Sequence, residues 1–371
     1  MKIPFNFTYT NSKVLEDISL AIEGENYIKH CLKQFGSLLK VDKSKLFLCP
    51  SCTDALEMIA ILTDIKEGDE FILPSFTHPS TVNAFVLRGA TPIFVDIDYK
   101  TLNLDPAKIE QKITDKTKLI LPVHYAGFSC DMTSIMDLAK KHNVLVVEDA
   151  AQGLDSYYKK QHLGTIGDFG TISFHRTKNL SCDEGGLVII NNEKYLERAY
   201  KVYNFGTNRK EFQEGITPNY IWVDLGSSYQ ISNLLASVLY SNLRNLEDIT
   251  KFRIKVWNKY YNFFKDESLV TVPSYTENHN GHIFYILVNP IYHRKVIKNL
   301  NQKGIEVCSH FEALHDSSMM QHLPYDALPI TNLITRSLIR LPLFYGIDNS
   351  TIEYISKEVL EEITKCQKLK N

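Results

Sequence analysis

The sequence predicts an α/β fold with a large, mostly parallel sheet, followed by a smaller α+β unit. Three observations carry this reading. Short β-branched runs alternate with longer amphipathic stretches through the first half, and strands joined through helices come out parallel. Near residue 250 this alternation gives way to a shorter set of strands and helices. Finally, 371 residues suffice for a large core and a second, smaller one. We therefore expect one domain over 1–250 and another over 251–371.

Taken in order, Leu46–Cys49 is an apolar run of strand length, followed by a helix from about Thr53 through Leu62. Glu70–Pro74 reads as a strand, Ser80–Leu87 as a helix and Thr91–Val95 as a strand. The alternation continues with strand Lys118–Val123, helix Thr133–His142 and strand Val144–Glu148. Phe169–Phe174 and Gly186–Ile190 are two further strands, close enough in sequence to pair directly. A long helical region covers about Ser232–Phe264, with a break expected within Asn245–Thr250. The tail then reads as strand Ile283–Val288, helix His293–Lys303, strand Ile305–Cys308 and helix Thr351–Lys365.

Composition excludes several function classes. Lys plus Arg is 41 against 43 Asp plus Glu, a net charge of −2, which is wrong for a polybasic nucleic-acid binder. No apolar run approaches bilayer length. The start MKIPFNFTYT lacks the apolar stretch of a signal peptide. Seven thinly spread cysteines do not make a disulfide framework. A cytoplasmic location follows as the expectation.

Several segments could carry chemistry, and each has a plainer reading. Cys49-Pro50-Ser51-Cys52 sits between strand and helix as a redox pair would, but two small residues flanking a tight turn explain it equally simply. The helix start Ser51–Asp54 offers backbone N–H groups to an anion, as does any capped helix. Gly164, Gly167 and Gly170 are spaced GxxGxxG and follow no strand, so a dinucleotide fingerprint is disfavoured. Glu148 and Asp149 end an apolar strand, where open α/β sheets bind ligands. A carboxylate there could hold a cationic ring nitrogen; it could also cap a helix or bind a metal. Lys178 ends a strand-to-turn segment ahead of Glu184-Gly185-Gly186. Most lysines are solvated charges, whereas a partly desolvated one can act as a nucleophile. The paired glycines would let backbone pass close to something bulky.

Taken together, PVHYAG (Pro122–Gly127), VVEDAAQ (Val146–Gln152), SFHRTKN (Ser173–Asn179) and EGG (Glu184–Gly186) resemble the DegT/StrS sugar aminotransferases. The resemblance runs from Ile3-Pro4-Phe5 to Leu341-Pro342-Leu343-Phe344. VNAFVLRGA (Val82–Ala90), GTNR (Gly206–Arg209) and DLGSSY (Asp224–Tyr229) are similar to the branch that aminates dTDP-4-keto-6-deoxyhexoses at C4. The resemblance implies a fold-type-I transferase that uses pyridoxal 5'-phosphate (PLP). It implies L-glutamate as donor and dTDP-4-amino-4,6-dideoxyglucose or -galactose as product, for O-antigen or other surface polysaccharide. It also implies a homodimer with shared active sites.

On the same footing, Lys178 would anchor the cofactor covalently and Asp149 would pair with its ring nitrogen. Gln152 would lie near the phenolic oxygen, and Ser173 with the backbone at Thr53 and Asp54 would hold the phosphate. His78 occupies the position of an aromatic that stacks on the ring; imidazole can stack, but it also titrates. Gln230 stands where relatives have an asparagine that reaches the neighbouring subunit's cofactor phosphate. Arg209, His310 and His315 are candidate substrate contacts. In His310-Phe311-Glu312-Ala313-Leu314-His315 the two histidines match a family motif, while Phe311 and Ala313 replace its Tyr and Pro. Lys178 argues against a sugar 3-dehydratase, which has histidine there. The nearer rival is a 3-aminotransferase, and a non-catalytic sensor would have to explain the complete Lys178, Asp149, Gln152 and Ser173 set.

Overall fold

The computed structural model of the chain describes residues 2–321, 323 and 325–368. Two helices lead in, α1 (Val14–Ile22) and α2 (Tyr27–Leu39). The second starts where the Asn26 side chain accepts the Lys29 N–H, and it buries Tyr27, Cys31, Phe35 and Leu39 on one face. This spacing of four is the apolar stripe of a packed helix. It ends at Lys40, which turns left-handed at φ 56°.

The main body follows: β1 (Leu46–Cys49), α3 (Cys52–Leu62), β2 (Glu70–Pro74), α4 (Pro79–Val86) and β3 (Thr91–Val95). Next come β4 (Thr117–Ile120), α5 (Met132–His142), β5 (Leu145–Asp149) and the short pair β6 (Tyr157–Tyr158) and β7 (Gln161–His162). The sheet closes with β8 (Phe169–Ser173) and β9 (Gly186–Ile190). The strand order is β1-β9-β8-β5-β4-β2-β3. From β3 to β8 every neighbouring pair is parallel, and only β9 runs the other way. The expected strands are therefore present, and β8 and β9 do pair directly. Strands β1, β8 and β9 are buried along their length, as expected for a sheet covered by helices on both faces. α3 buries Ala55, Leu56, Met58, Ile59, Ala60 and Leu62, more than a single stripe, because it packs on α4 as well as on β9.

After the sheet come α6 (Leu196–Tyr203), α7 (Arg209–Gln213), α8 (Asn233–Leu243) and α9 (Leu246–Phe264). The helix break lies at Arg244–Asn245, at the start of the expected Asn245–Thr250 segment, and residue 250 falls inside continuous α9. The tail holds β10 (Phe284–Leu287), α10 (His293–Gln302), α11 (Pro329–Thr335), β11 (Leu338–Leu341) and α12 (Asn349–Lys368). β10 and β11 pair antiparallel. The strand expected over Ile305–Cys308 is absent as a ladder and survives as two isolated bridges, Ile3 to Ile305 and Cys308 to Arg340. The reason is that the Val307 N–H goes to the Asn301 side chain, breaking any continuous pairing. The strand that does form, β11, carries Arg340 inside an apolar run, which hides its pattern. One core joins Trp257, Phe284 and Ile339 of this region to Ile3, Phe76 and Tyr125, so the tail is packed onto the rim of the main sheet. Among the described residues no helix is long and apolar enough to cross a membrane.

Candidate active site

The ends of β5 and β8 and the start of α3 meet at a cavity of about 380 Å³. It lies at the carboxyl edge of the parallel strands, where this architecture leaves room for ligands. Strand alternation decides which carboxylate reaches it. Successive side chains on β5 point to opposite faces, so Glu148 and Asp149 have different fates. Glu148 is fully buried and accepts N–H groups from Gly164, Ile166 and Gly167 and from His124 Nε2. His124 Nδ1 in turn accepts the Cys130 N–H, so the ring is neutral with its proton toward Glu148. Four donors converge on this one side chain, which is a structural hub. Glu148→Gln leaves two of those donors facing an NH2 group and is expected to destabilise the fold by about 2–4 kcal/mol. Chemical denaturation of the variant checks this, and unchanged stability would contradict it.

Asp149 does line the cavity. Its Oδ2 accepts from Thr81 Oγ1 at 2.8 Å and its Oδ1 from the Ala151 N–H at 3.0 Å. Thr81 is itself tied to Thr77 at 3.0 Å. The carboxylate is thus held from two sides with one edge toward the cavity contents. Thr81 was not singled out from the sequence, because the contact spans 68 positions.

The start of α3 faces the same space. Ser51 caps it, its Oγ accepting the Asp54 N–H at 3.0 Å and donating to Asp54 Oδ2 at 2.7 Å. This corrects one expectation: the Asp54 N–H is already satisfied and Asp54 is not a cavity residue. The N–H groups of Cys52 and Thr53, which no helix carbonyl can reach, remain for an anion. Ser173 and Thr53 both line the cavity. The bulky neighbour of the paired glycines is the protein itself. A Cβ on Gly186 would sit 2.4 Å from the Ser51 carbonyl oxygen, so glycine here lets β9 pass the start of α3.

Lys178 follows β8 in a turn closed by its N–H to the His175 carbonyl. Burial holds its amine below the usual lysine range, opposed by the nearby Cys52 and Asp149. A larger neutral fraction makes it a better nucleophile. Cys52 also lines this cavity, a correction to its reading as a turn residue alone. Burial pushes its thiol up to about 12 and that of Cys49 well above the normal range. Both are free, so neither is a poised redox thiolate.

His78 lines the cavity and caps α4, its Nδ1 accepting the Ser80 N–H at 3.3 Å. Burial holds it below the usual histidine range, and its bond to Ser80 fixes the ring in the cavity wall. Gln152 is fixed by accepting the Ala126 N–H at 2.6 Å. His310 lines the cavity as expected, whereas His315 does not. His315 is buried, with Nδ1 2.6 Å from Ser75 Oγ, and pins its loop to the end of β2. Arg209 and Gln230 line a separate cavity of about 330 Å³ near α2 and β1. One chain alone does not bring them to Lys178. His282 and Arg340 also line the cavity and, like Thr81, escaped the sequence reading. The signal for Arg340 was present as a lone charge inside the apolar strand Leu338–Leu341.

Comparison with known proteins fits this geometry. The family model described as DegT/DnrJ/EryC1/StrS aminotransferase family matches residues 28–360. Among solved structures, the aminotransferase TlmJ from Streptoalloteichus hindustanus superposes with a TM-score of 0.92 at 22% identity, covering 99% of this chain and 100% of that one. Spr1654 from Streptococcus pneumoniae in its PMP form gives 0.92 at 23% identity, covering 100% of both chains. Helicobacter pylori PseC, an aminotransferase involved in the biosynthesis of pseudoaminic acid, gives 0.90 at 20% identity, covering 98% of this chain and 100% of that one. At these identities the structures establish the fold, which is theirs.

Proposed function

The chain belongs to the DegT/DnrJ/EryC1/StrS aminotransferase family, and from that premise we propose that it aminates dTDP-4-keto-6-deoxy-D-glucose at C4 with L-glutamate. The product is dTDP-4-amino-4,6-dideoxy-D-glucose or its galactose epimer, for O-antigen or another surface polysaccharide. The observation that carries this reading is the meeting of Lys178 and Asp149 on one cavity beside the start of α3. The choice of C4 rests on the likeness of Val82–Ala90, Gly206–Arg209 and Asp224–Tyr229 to enzymes of that type.

The family's cofactor is PLP, and the residues present fit it. An aldehyde, a ring nitrogen and a phosphate call for an amine, a carboxylate and an anion cradle. The wall supplies Lys178, Asp149, and the Cys52 and Thr53 N–H groups with the Ser173 hydroxyl. When bound, PLP supplies an electron sink for the charge left when a proton leaves the carbon next to nitrogen. Asp149, held by Thr81 and the Ala151 N–H, would keep the ring nitrogen protonated. Lys178 would anchor the cofactor and, once displaced by the donor, take the proton from glutamate Cα. In the second half it would deliver a proton to C4 of the sugar. His78, fixed by its capping bond, would cover the ring face.

The enzyme is read as a homodimer with shared sites. Phe205, Phe212, Ile216, Ile221, Trp222 and Val223 are exposed, Trp222 to 75%, and so large an apolar surface suits a second copy of the chain. Arg209 and Gln230, which line a separate cavity in one chain, would serve the partner's site.

Purified protein with PLP and L-glutamate is expected to convert dTDP-4-keto-6-deoxy-D-glucose to the 4-amino sugar with release of 2-oxoglutarate. The NMR couplings of the C4 proton then give the epimer. Amination of a 3-keto sugar alone would move the assignment to C3, and reaction with neither would overturn it.

A further inference from the structure

We propose that Arg340 binds a carboxylate of the amino donor, a deepening that rests on the function proposed above. Arg340 lies in β11, in the wall of the cavity shared by Lys178 and Asp149. It is 2% exposed, and its Nη1 donates to His310 Nδ1 at 3.0 Å. Its Nε and Nη2 have no acceptor among the described residues. No carboxylate therefore answers this buried charge.

The unsatisfied pair is chemically specific. Nε and Nη2 form one edge of the guanidinium, the two-pronged donor that matches the two oxygens of a carboxylate. Elsewhere in the molecule Arg198 uses that edge in this way, holding Asp224 with bonds of 2.8 and 3.2 Å. The other fully buried arginine, Arg253, gives its Nε and Nη2 to the carbonyls of Gly281 and His282. Arg340 alone of the three keeps the edge unmatched, although an uncompensated buried charge is strongly unfavourable. Phe5 covers the guanidinium face, 5.0 Å from ring centre to Cζ, so the two unmatched nitrogens are buried as well as unpaired. His310 is held in turn by the Tyr125 hydroxyl, which donates to its carbonyl at 2.7 Å. With Nδ1 accepting from Arg340, its ring proton sits on Nε2, a second donor beside the first.

A phosphate would also satisfy a guanidinium edge. The carboxylate is favoured because Arg340 is close enough to Lys178 to weaken its hold on a proton. The anion it receives is thus placed beside the amine that the donor must displace. The start of α3 already serves the cavity's other anion.

The test uses glutarate, a dicarboxylate with no amino group to transfer. It is titrated calorimetrically into PLP-loaded and PLP-free protein, as wild type, Arg340→Gln and Arg340→Lys. Arg340→Gln is expected to weaken glutarate binding about 30-fold or more, with partial recovery in Arg340→Lys. PLP uptake and binding of dTDP should stay within about two-fold of wild type, since both rest on other groups. In steady state the KM for L-glutamate should rise while that for the keto sugar does not. Unchanged glutarate affinity would overturn the proposal, as would a loss confined to dTDP or PLP. Should Arg340→Gln not fold, Arg340→Lys carries the same test, since it keeps the charge without the two-pronged edge. Glutarate binding to PLP-free protein reads the arginine by itself. Absence of PLP uptake or of amination would defeat the function proposed above and leave this result standing.

Discussion

Lys178→Ala is expected to abolish transamination of L-glutamate while leaving the fold in place. Among the described residues Lys178 is the one lysine in the wall of the cavity, and burial biases it toward the neutral, nucleophilic amine. Two roles vanish together, the covalent anchor and the proton carrier. Loss of an acid–base group alone lowers rates by about 10²–10⁴-fold, so turnover should fall at least that far. The fold should survive because Lys178 makes no side-chain hydrogen bond or ion pair among the described residues, and its N–H bond to His175 is unaffected by the substitution. Rate measurement with circular dichroism checks both halves. Borohydride should fix the cofactor to the wild-type peptide containing Lys178 and not to the variant. Retained transamination would remove Lys178 from the mechanism.

Asp149→Ala should cost less than the lysine but still about 10²–10³-fold in kcat, the range for losing one group placed against developing charge. The carboxylate is held at 2.8 and 3.0 Å by Thr81 and the Ala151 N–H, so its charge is pre-placed before any ligand enters. A second readout follows from the same charge. Asp149 favours the protonated form of Lys178; without it, deprotonation of the lysine should shift to lower pH. Labelling of the Lys178 amine in cofactor-free protein as a function of pH reads that shift. An unchanged labelling profile together with near-normal kcat would sink the assignment. Glu148, one residue away, should behave oppositely, with its variant losing stability, since four donors depend on it.

Much of the fold was legible because its elements are local. The parallel strands are short apolar runs with helices between them, and β1, β2, β3 and β9 begin and end where the sequence reading put them. The tail was less legible. β11 carries a buried arginine in its middle, and the segment near Ile305 looks like a strand yet binds its backbone to a side chain. Of the candidate site, Lys178, Asp149, Ser173, Gln152, Thr53, His78 and His310 do share one cavity. His315 looked equivalent to His310 by motif, but Ser75 claims it at 2.6 Å.

The sequence by itself determined the class of the fold, the order of its strands and helices, and a set of motifs ordered as in the sugar aminotransferases. These depend on periodicity and spacing, which a chain carries within a few residues. Tertiary structure alone decided which of two adjacent carboxylates faces the cavity and which histidine serves a loop. It also decided that Arg340 is buried with one edge unmatched. Each of these depends on partners far away in sequence, as Thr81 is from Asp149 and Ser75 from His315. The energy of a buried polar group is set by the partner it meets, and the partner is known only once the chain has folded.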